Sequence, residues 1–191
     1  INHSTFVWLF VNFIMSLERK LLAIMFTDIV EFTNLMSKNE LKALNMLEEM
    51  IDIIQSEIKK NNGIYVKDIG DGTLSYFESA TEGVDCAISI QNLLKNRISV
   101  RIGIHLGKVF YRNGDVLGDN VNIANRIEKI STPGGLSISS SMYHQLINKS
   151  NYNFKDLGLH SMKGVGRLLN IYALSTPCLL YTSPSPRDLR K

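Results

Sequence analysis

Residues 64–77, Ile-Tyr-Val-Lys-Asp-Ile-Gly-Asp-Gly-Thr-Leu-Ser-Tyr-Phe, constrain the fold of this chain more than any other stretch. Two short runs of β-branched and aromatic residues flank Gly70-Asp71-Gly72. Asp-Gly between such runs is the strongest short-range signal for a β-hairpin. The hairpin also carries Lys67 within its first strand and Asp71 at its turn, and a hairpin needs neither. Taken alone, Lys67 reads as a solvated strand face and Asp71 as turn chemistry. The elements around the hairpin give both a second reading.

Upstream, Leu21 to Thr27 is a continuous apolar run that ends in Thr27-Asp28. Such a run suits a central strand buried on both faces, with Asp28 at its carboxyl end. Asp28 could equally cap a helix opening at Ile29-Val30-Glu31-Phe32-Thr33. Ser37-Lys38-Asn39-Glu40 reads as a capping box. After it, Leu41, Leu44, Leu47, Ile51, Ile54 and Ile58 recur at helical spacing until Asn61-Asn62-Gly63. Downstream, Ser79-Ala80-Thr81-Glu82 opens a second helix whose buried face is Val84, Ala87, Ile88 and Leu94. Val100, Ile102, Ile104 and Leu106 alternate with Arg101, Gly103 and His105, which predicts a strand. His105 reads as a structural histidine. A turn at Arg112-Asn113-Gly114 leads to Asp115, and a helix starts at Gly118-Asp119. Its Val121, Ala124 and Ile127 face inward, while Asn122 and Arg126 share the other face. A short strand at 136–139, a short helix near 141–147 and two strands near 154–156 and 169–174 complete the domain.

This order is α+β: a ferredoxin-like β-α-β-β-α-β core, an antiparallel sheet with helices on one face, followed by a C-terminal extension. The first strand should lie beside the hairpin, so Asp28 and Asp71 should meet at one sheet edge. Two close carboxylates repel unless they share a proton or a cation. Hard oxygen ligands suit Mg²⁺ or Mn²⁺ held partly by substrate phosphates, an arrangement fitted to in-line phosphoryl chemistry.

Composition narrows the partners. With 191 residues, 45% hydrophobic and 20% charged, the chain has the make-up of one globular domain. A net charge of +3 and the lack of a Lys/Arg run argue against nucleic acid. Cys86 and Cys178 give neither a disulfide framework nor a zinc site. That fits a reducing, cytoplasmic setting. The catalytic domain is expected at 15–175. Residues 1–14 hold an apolar run shorter than the roughly 18 residues of a spanning helix, interrupted by Asn12. They read as a non-native or truncated flank, and membrane association is expected only if a missing flank supplies it. Residues 176–191, with Ser-Pro-Ser-Pro-Arg, read as a disordered and non-native tail.

Three blocks together carry a family resemblance: 26–33 (Phe-Thr-Asp-Ile-Val-Glu-Phe-Thr), 67–72 (Lys-Asp-Ile-Gly-Asp-Gly) and 115–126 (Asp-Val-Leu-Gly-Asp-Asn-Val-Asn-Ile-Ala-Asn-Arg). In this order and spacing they resemble the signature blocks of class III nucleotidyl cyclases, and the likeness spans Met15 to Leu174. The resemblance implies that Asp28, Asp71 and the Ile29 carbonyl hold two divalent cations, Mg²⁺ or Mn²⁺. It implies that Lys67 and Asp115 read the purine. Lysine donates and a carboxylate accepts, which matches adenine and favours ATP; guanylyl cyclases use Glu and Cys there. Asn122 is then the residue that orients the ribose, and Arg126 the one that neutralises charge on the reacting phosphate. Lys163 would meet the terminal phosphates, and the backbone N–H groups of Phe32 and Thr33 would cradle the triphosphate.

The implied reaction converts ATP to 3′,5′-cyclic AMP and pyrophosphate by attack of the 3′-hydroxyl on the α-phosphate. Sites in this family lie between two subunits, with cation ligands from one and Lys67, Asp115, Asn122 and Arg126 from the other. Both sets occur in this chain, so a symmetric homodimer with two shared sites is expected. One position departs from the family: Glu31 stands where glycine is usual. The alternatives are a catalytically silent nucleotide-binding regulatory module and a diguanylate cyclase or polymerase-palm relative. The Lys67/Asp115 pair and the Asn122/Arg126 helix disfavour the last.

Overall fold

The computed structural model describes residues 18–149 and 151–174. The flanks 1–14 and 176–191, with Cys178, lie outside the described residues. Eight strands form one mixed sheet: β1 (Glu18–Ile29), β2 (Ile64–Ile69), β3 (Gly72–Phe77), β4 (Val100–Arg112), β5 (Asp115–Leu117), β6 (Leu136–Ser139), β7 (Phe154–His160) and β8 (Leu169–Leu174). Five helices accompany it: α1 (Phe32–Lys38), α2 (Glu40–Lys60), α3 (Ala80–Leu94), α4 (Asp119–Ile130) and α5 (Ser140–Leu146). The strand order is β2-β3-β1-β4-β6-β8-β7, with β5 paired to β4. Only β4–β6 is parallel among these pairings. The expected α+β core is therefore present, and β1 lies beside the hairpin strand β3 in register Asp28↔Gly72.

β1 is buried on both faces because a layer of helix covers each. On one side Ala23 and Met25 pack with Met50, Ile54 and Ile58 of α2 and with Val84, Ala87 and Ile90 of α3. These are the two helices of the expected core. On the other side Leu22, Ile24 and Phe26 pack with Leu74, Val109, Val116 and Ala124, the last from α4. The extension thus adds α4 to the face that a bare ferredoxin-like core leaves open. α4 lies close to β4, since a Cβ at Gly103 would collide with the Glu128 backbone and one at Gly107 with Asn120. The side of β4 that alternation marks as polar, Arg101-Gly103-His105-Gly107, is roofed by α4 and not open to water. Burial pushes the His105 imidazole below its ordinary pKa, against the opposing hydrogen bond with Asn120. Ser139 Oγ lies 2.8 Å from its Nδ1 and Asn120 Oδ1 2.9 Å from its Nε2, so the structural reading of His105 holds.

Local signals differ in how well they place the helix starts. Ser79 caps α3 as its capping box requires, its side chain accepting from the Glu82 amide. The capping box at Ser37–Glu40 does not form. Ser37 lies inside α1, and Asn39 caps α2 by accepting from the Lys42 amide. Leu41 and Leu44, 71% and 40% exposed, consequently sit outside the core that Ile54 and Ile58 enter. No helix among the described residues is long and apolar enough to cross a membrane.

Candidate active site

The carboxylates converge through the hairpin. Its turn consists of Gly70 and Asp71, because Ile69 pairs with Gly72. This is one residue earlier than the Asp-Gly dipeptide suggests. Gly70 takes φ 62, a left-handed conformation natural to glycine. Gly72 is already in the ladder, where a Cβ would collide with the Thr27 carbonyl oxygen. That close approach seats the turn against the end of β1, where the Ile29 amide donates to the Asp71 carbonyl at 3.4 Å. The meeting point is the end of the central strands and not the lateral edge of the sheet. There the Asp71 carboxyl is pushed above its ordinary range, first by burial and then by the charge of Asp28 beside it. Two acids held this way have the chemistry of a hard-cation site. The donor set fits: two carboxylates plus the Ile29 carbonyl leave the remaining positions to phosphate and water. No group of three or more His, Cys, Asp and Glu suited to a metal occurs among the described residues.

Two charged residues at this place were not singled out from the sequence. Arg101 on β4 pairs through Nη2 with Asp28 Oδ2, and its Nε lies 3.1 Å from Oε1 of Glu128. Glu128, on the buried side of α4, is only 2% exposed. Burial, then the charge of Asp28, pushes its carboxyl up to about 7. The available signals were an arginine in an alternating strand and a glutamate two residues beyond Arg126. Both also fit ordinary solvated faces.

After Glu31 the chain turns into α1 by an unusual route. Glu31 has φ 58, and no side chain caps the helix. The first amides of α1, including those of Phe32 and Thr33, lack intrahelical partners at their position. A glycine would take the Glu31 conformation without a Cβ penalty, which explains physically why this position favours one.

The second half of the site is a cleft of about 400 Å³ between the hairpin, β5 and the start of α4. Lys67, Asn122, Asn125, Phe26 and Leu117 are among its lining residues. A bulge between Tyr65 and Lys67 puts Lys67 there. Tyr65 packs toward α2 and α3, Val66 packs toward α4, and Lys67 follows Val66 onto that same side. Strict alternation would have sent Lys67 to the side of Tyr65. Asp115 arrives from the β4–β5 hairpin, whose turn Asn113-Gly114 has φ 49 and 83. Positive φ at both central residues is the type I′ signature. Lys67 Nζ donates to Asp115 Oδ2 at 2.6 Å, and this contact holds the Asp115 carboxyl below its ordinary range. Asn122 is exposed on the same cleft. Arg126, one turn on, lies beside Gly164, with its Nη2 3.6 Å from where a Cβ of Gly164 would stand. That glycine belongs to the loop carrying exposed Lys163. The structure therefore groups Asp28, Ile29 and Asp71 at one place and Lys67, Asp115 and Asn122 at another. The hairpin contributes to both.

Residues 16–176 match the family described as the adenylate and guanylate cyclase catalytic domain. A putative adenylate cyclase 3 of Rhizobium meliloti is 31% identical over 170 residues, covering 84% of this chain and 29% of that protein. A receptor-type guanylate cyclase of Caenorhabditis elegans, gcy-13, is 28% identical over 79% of this chain and 17% of its own length. The chain thus spans less than a third of these relatives. Among solved structures, an adenylate/guanylate cyclase/hydrolase from Silicibacter pomeroyi superposes with a TM-score of 0.78 at 33% identity, covering 84% of this chain and 99% of that one. The adenylyl cyclase CyaB from P. aeruginosa, at 23% identity and a TM-score of 0.76, shares the fold over 91% of this chain and 98% of its own. This chain belongs to the class III adenylate and guanylate cyclase catalytic domain family.

Proposed function

We propose that the chain is an adenylate cyclase that converts ATP to 3′,5′-cyclic AMP and pyrophosphate at sites shared between two copies. The observation that carries this reading is the Asp28–Asp71 carboxylate pair at the end of the sheet, with the Asp71 carboxyl raised first by burial and then by the charge of Asp28. Asp28, Asp71 and the Ile29 carbonyl would hold two divalent cations, Mg²⁺ or Mn²⁺. When bound, such cations lower the pKa of the ribose 3′-hydroxyl and steady the leaving pyrophosphate.

The chain's own residues do the rest. The uncapped amides of Phe32 and Thr33 hold phosphate oxygens, and Lys163 meets the terminal phosphates. Lys67 donates to adenine N1 while Asp115 accepts from the 6-amino group. Their 2.6 Å contact supports this pairing, because each already holds the other at the cleft wall. Asn122 orients the ribose, and Arg126 places its guanidinium against charge that builds on the α-phosphate.

The Lys67–Asp115 pair and the Asp28–Asp71 pair come from opposite subunits of a homodimer. In this arrangement one hairpin serves two sites, Asp71 in the first and Lys67 in the second. Guanylate cyclases also occur among the relatives, so substrate choice is the point to test. Purified protein incubated with ATP or with GTP, in Mn²⁺, should form cyclic AMP and little cyclic GMP. A preference for GTP would overturn the purine assignment. No cyclic product from either nucleotide would favour a silent nucleotide-binding module, and a dinucleotide product would favour a diguanylate cyclase.

A further inference from the structure

Glu128 is buried beside the carboxylate pair, and the proposed reaction gives it no task. α4 is pressed onto β4 at Gly103, which brings the Glu128 carboxyl to Arg101 on the same strand. The Nη2 of Arg101 is already committed to Asp28. The Nε–Oε1 separation is 3.1 Å, yet neither atom has an aligned hydrogen-bond partner, although both are buried. A guanidinium is a flat, rigid fork. Drawn toward Asp28 by Nη2, it cannot also aim Nε–H at Glu128. Arg101 therefore stands between two acids, hydrogen-bonded to Asp28 and ion-paired with Glu128 at 3.1 Å without an aligned hydrogen bond.

We propose that Arg101 is an internal stand-in for the divalent cation at Asp28, and that Glu128 is the second seat that receives Arg101 when the cation arrives. The proposal rests on the reading of Asp28 as a cation ligand. Without a cation, Asp28 and Asp71 face each other and need a positive partner, which Arg101 supplies. A divalent cation on Asp28 repels the guanidinium, and arginine cannot shed its charge by losing a proton. A partly buried guanidinium with no acid beside it is unfavourable. Glu128 removes that difficulty at a distance that needs only a small rotation to align Nε–H with Oε1. Glu128 is thus a positioning residue that acts through Arg101 and does not itself touch substrate.

The test is Mn²⁺ binding to nucleotide-free protein, read from the electron paramagnetic resonance signal of free Mn²⁺. Arg101→Gln should bind Mn²⁺ about fivefold tighter than wild type or more, and Glu128→Gln about fivefold weaker or more. Glu128→Asp, which keeps the charge, should fall between Glu128→Gln and wild type. The double variant should behave like Arg101→Gln alone, because Glu128 has nothing to receive once Arg101 is gone. A purely structural role for the pair would move both single variants the same way. Arg101→Met repeats the measurement if Arg101→Gln does not fold, and Glu128→Asp does so for Glu128→Gln. Asp28→Asn separates the two readings. If Asp28→Asn binds Mn²⁺ as wild type does, the cation reading falls and the proposal with it. If Asp28 is required but removing Arg101 gives no tighter binding, the proposal alone is overturned. Additive effects in the double variant would overturn the second seat.

Discussion

Lys67 and Asp115 form an exposed pair, and an exposed pair contributes little to stability. The 2.6 Å contact therefore counts for its donor and acceptor pattern more than for its strength. Lys67→Glu combined with Asp115→Cys reverses that pattern and should shift the product ratio from cyclic AMP toward cyclic GMP. Parallel assays with both nucleotides measure the ratio, and an unchanged ATP preference would show that the pair does not read the base. Glu31 bears on stability more directly. A left-handed non-glycine residue is strained by roughly 1–2 kcal/mol, and part of that gain is returned because glycine makes the unfolded chain more flexible. Glu31→Gly should raise unfolding stability by about 0.5–1 kcal/mol in denaturant titration. A loss of stability would mean that the Glu31 side chain makes contacts that outweigh its backbone strain. At this scale the sequence was informative where a residue's chemistry is unusual for its element, as with a lysine in a strand or an acid at a turn. Arg101 and Glu128 were not found because each matches its local pattern, and only tertiary packing brings them to Asp28.

Strands and helices were legible wherever one period dominated. β1, α3 and β4 follow from apolar runs, a capping box and alternation; α3 starts where its capping box places it, while β1 and β4 run on to Glu18–Ile29 and Val100–Arg112, beyond the apolar run and the alternation. Two kinds of feature were not legible. A bulge leaves no mark in hydrophobic pattern, so the turn of Lys67 onto the α4 side came only with the structure. Alternation also cannot distinguish a strand face open to water from one roofed by a helix, so it did not show that α4 covers the polar side of β4. The glycines held the missing signal: Gly103 and Gly107 lie four residues apart on that side and admit α4. Gly103→Ala should therefore destabilise the fold by about 1–3 kcal/mol, because the added carbon meets Glu128 backbone and not a flexible side chain. A shift in denaturant midpoint at unchanged slope would measure this. Wild-type stability in that variant would mean that α4 sits less tightly on β4 than described.

The whole molecule is expected to work as a pair of copies, since its two clusters of functional residues would face different sites. Asp28→Asn disables the cation half, and Arg126→Ala disables the half that stabilises the reacting phosphate. Each variant alone should be inactive. Mixed and allowed to exchange subunits, they should recover about a quarter of wild-type activity, because half of the dimers are mixed and each mixed dimer has one intact site. No recovery on mixing, with dimers present, would place both residues in one subunit's site. The most direct measurement is cyclic AMP formation from ATP and Mn²⁺ by the wild-type chain and by Asp71→Asn side by side. Wild type should form cyclic AMP in an Mn²⁺-dependent way, and the variant should lose about a hundredfold or more of that activity. Equal rates from both proteins would contradict this.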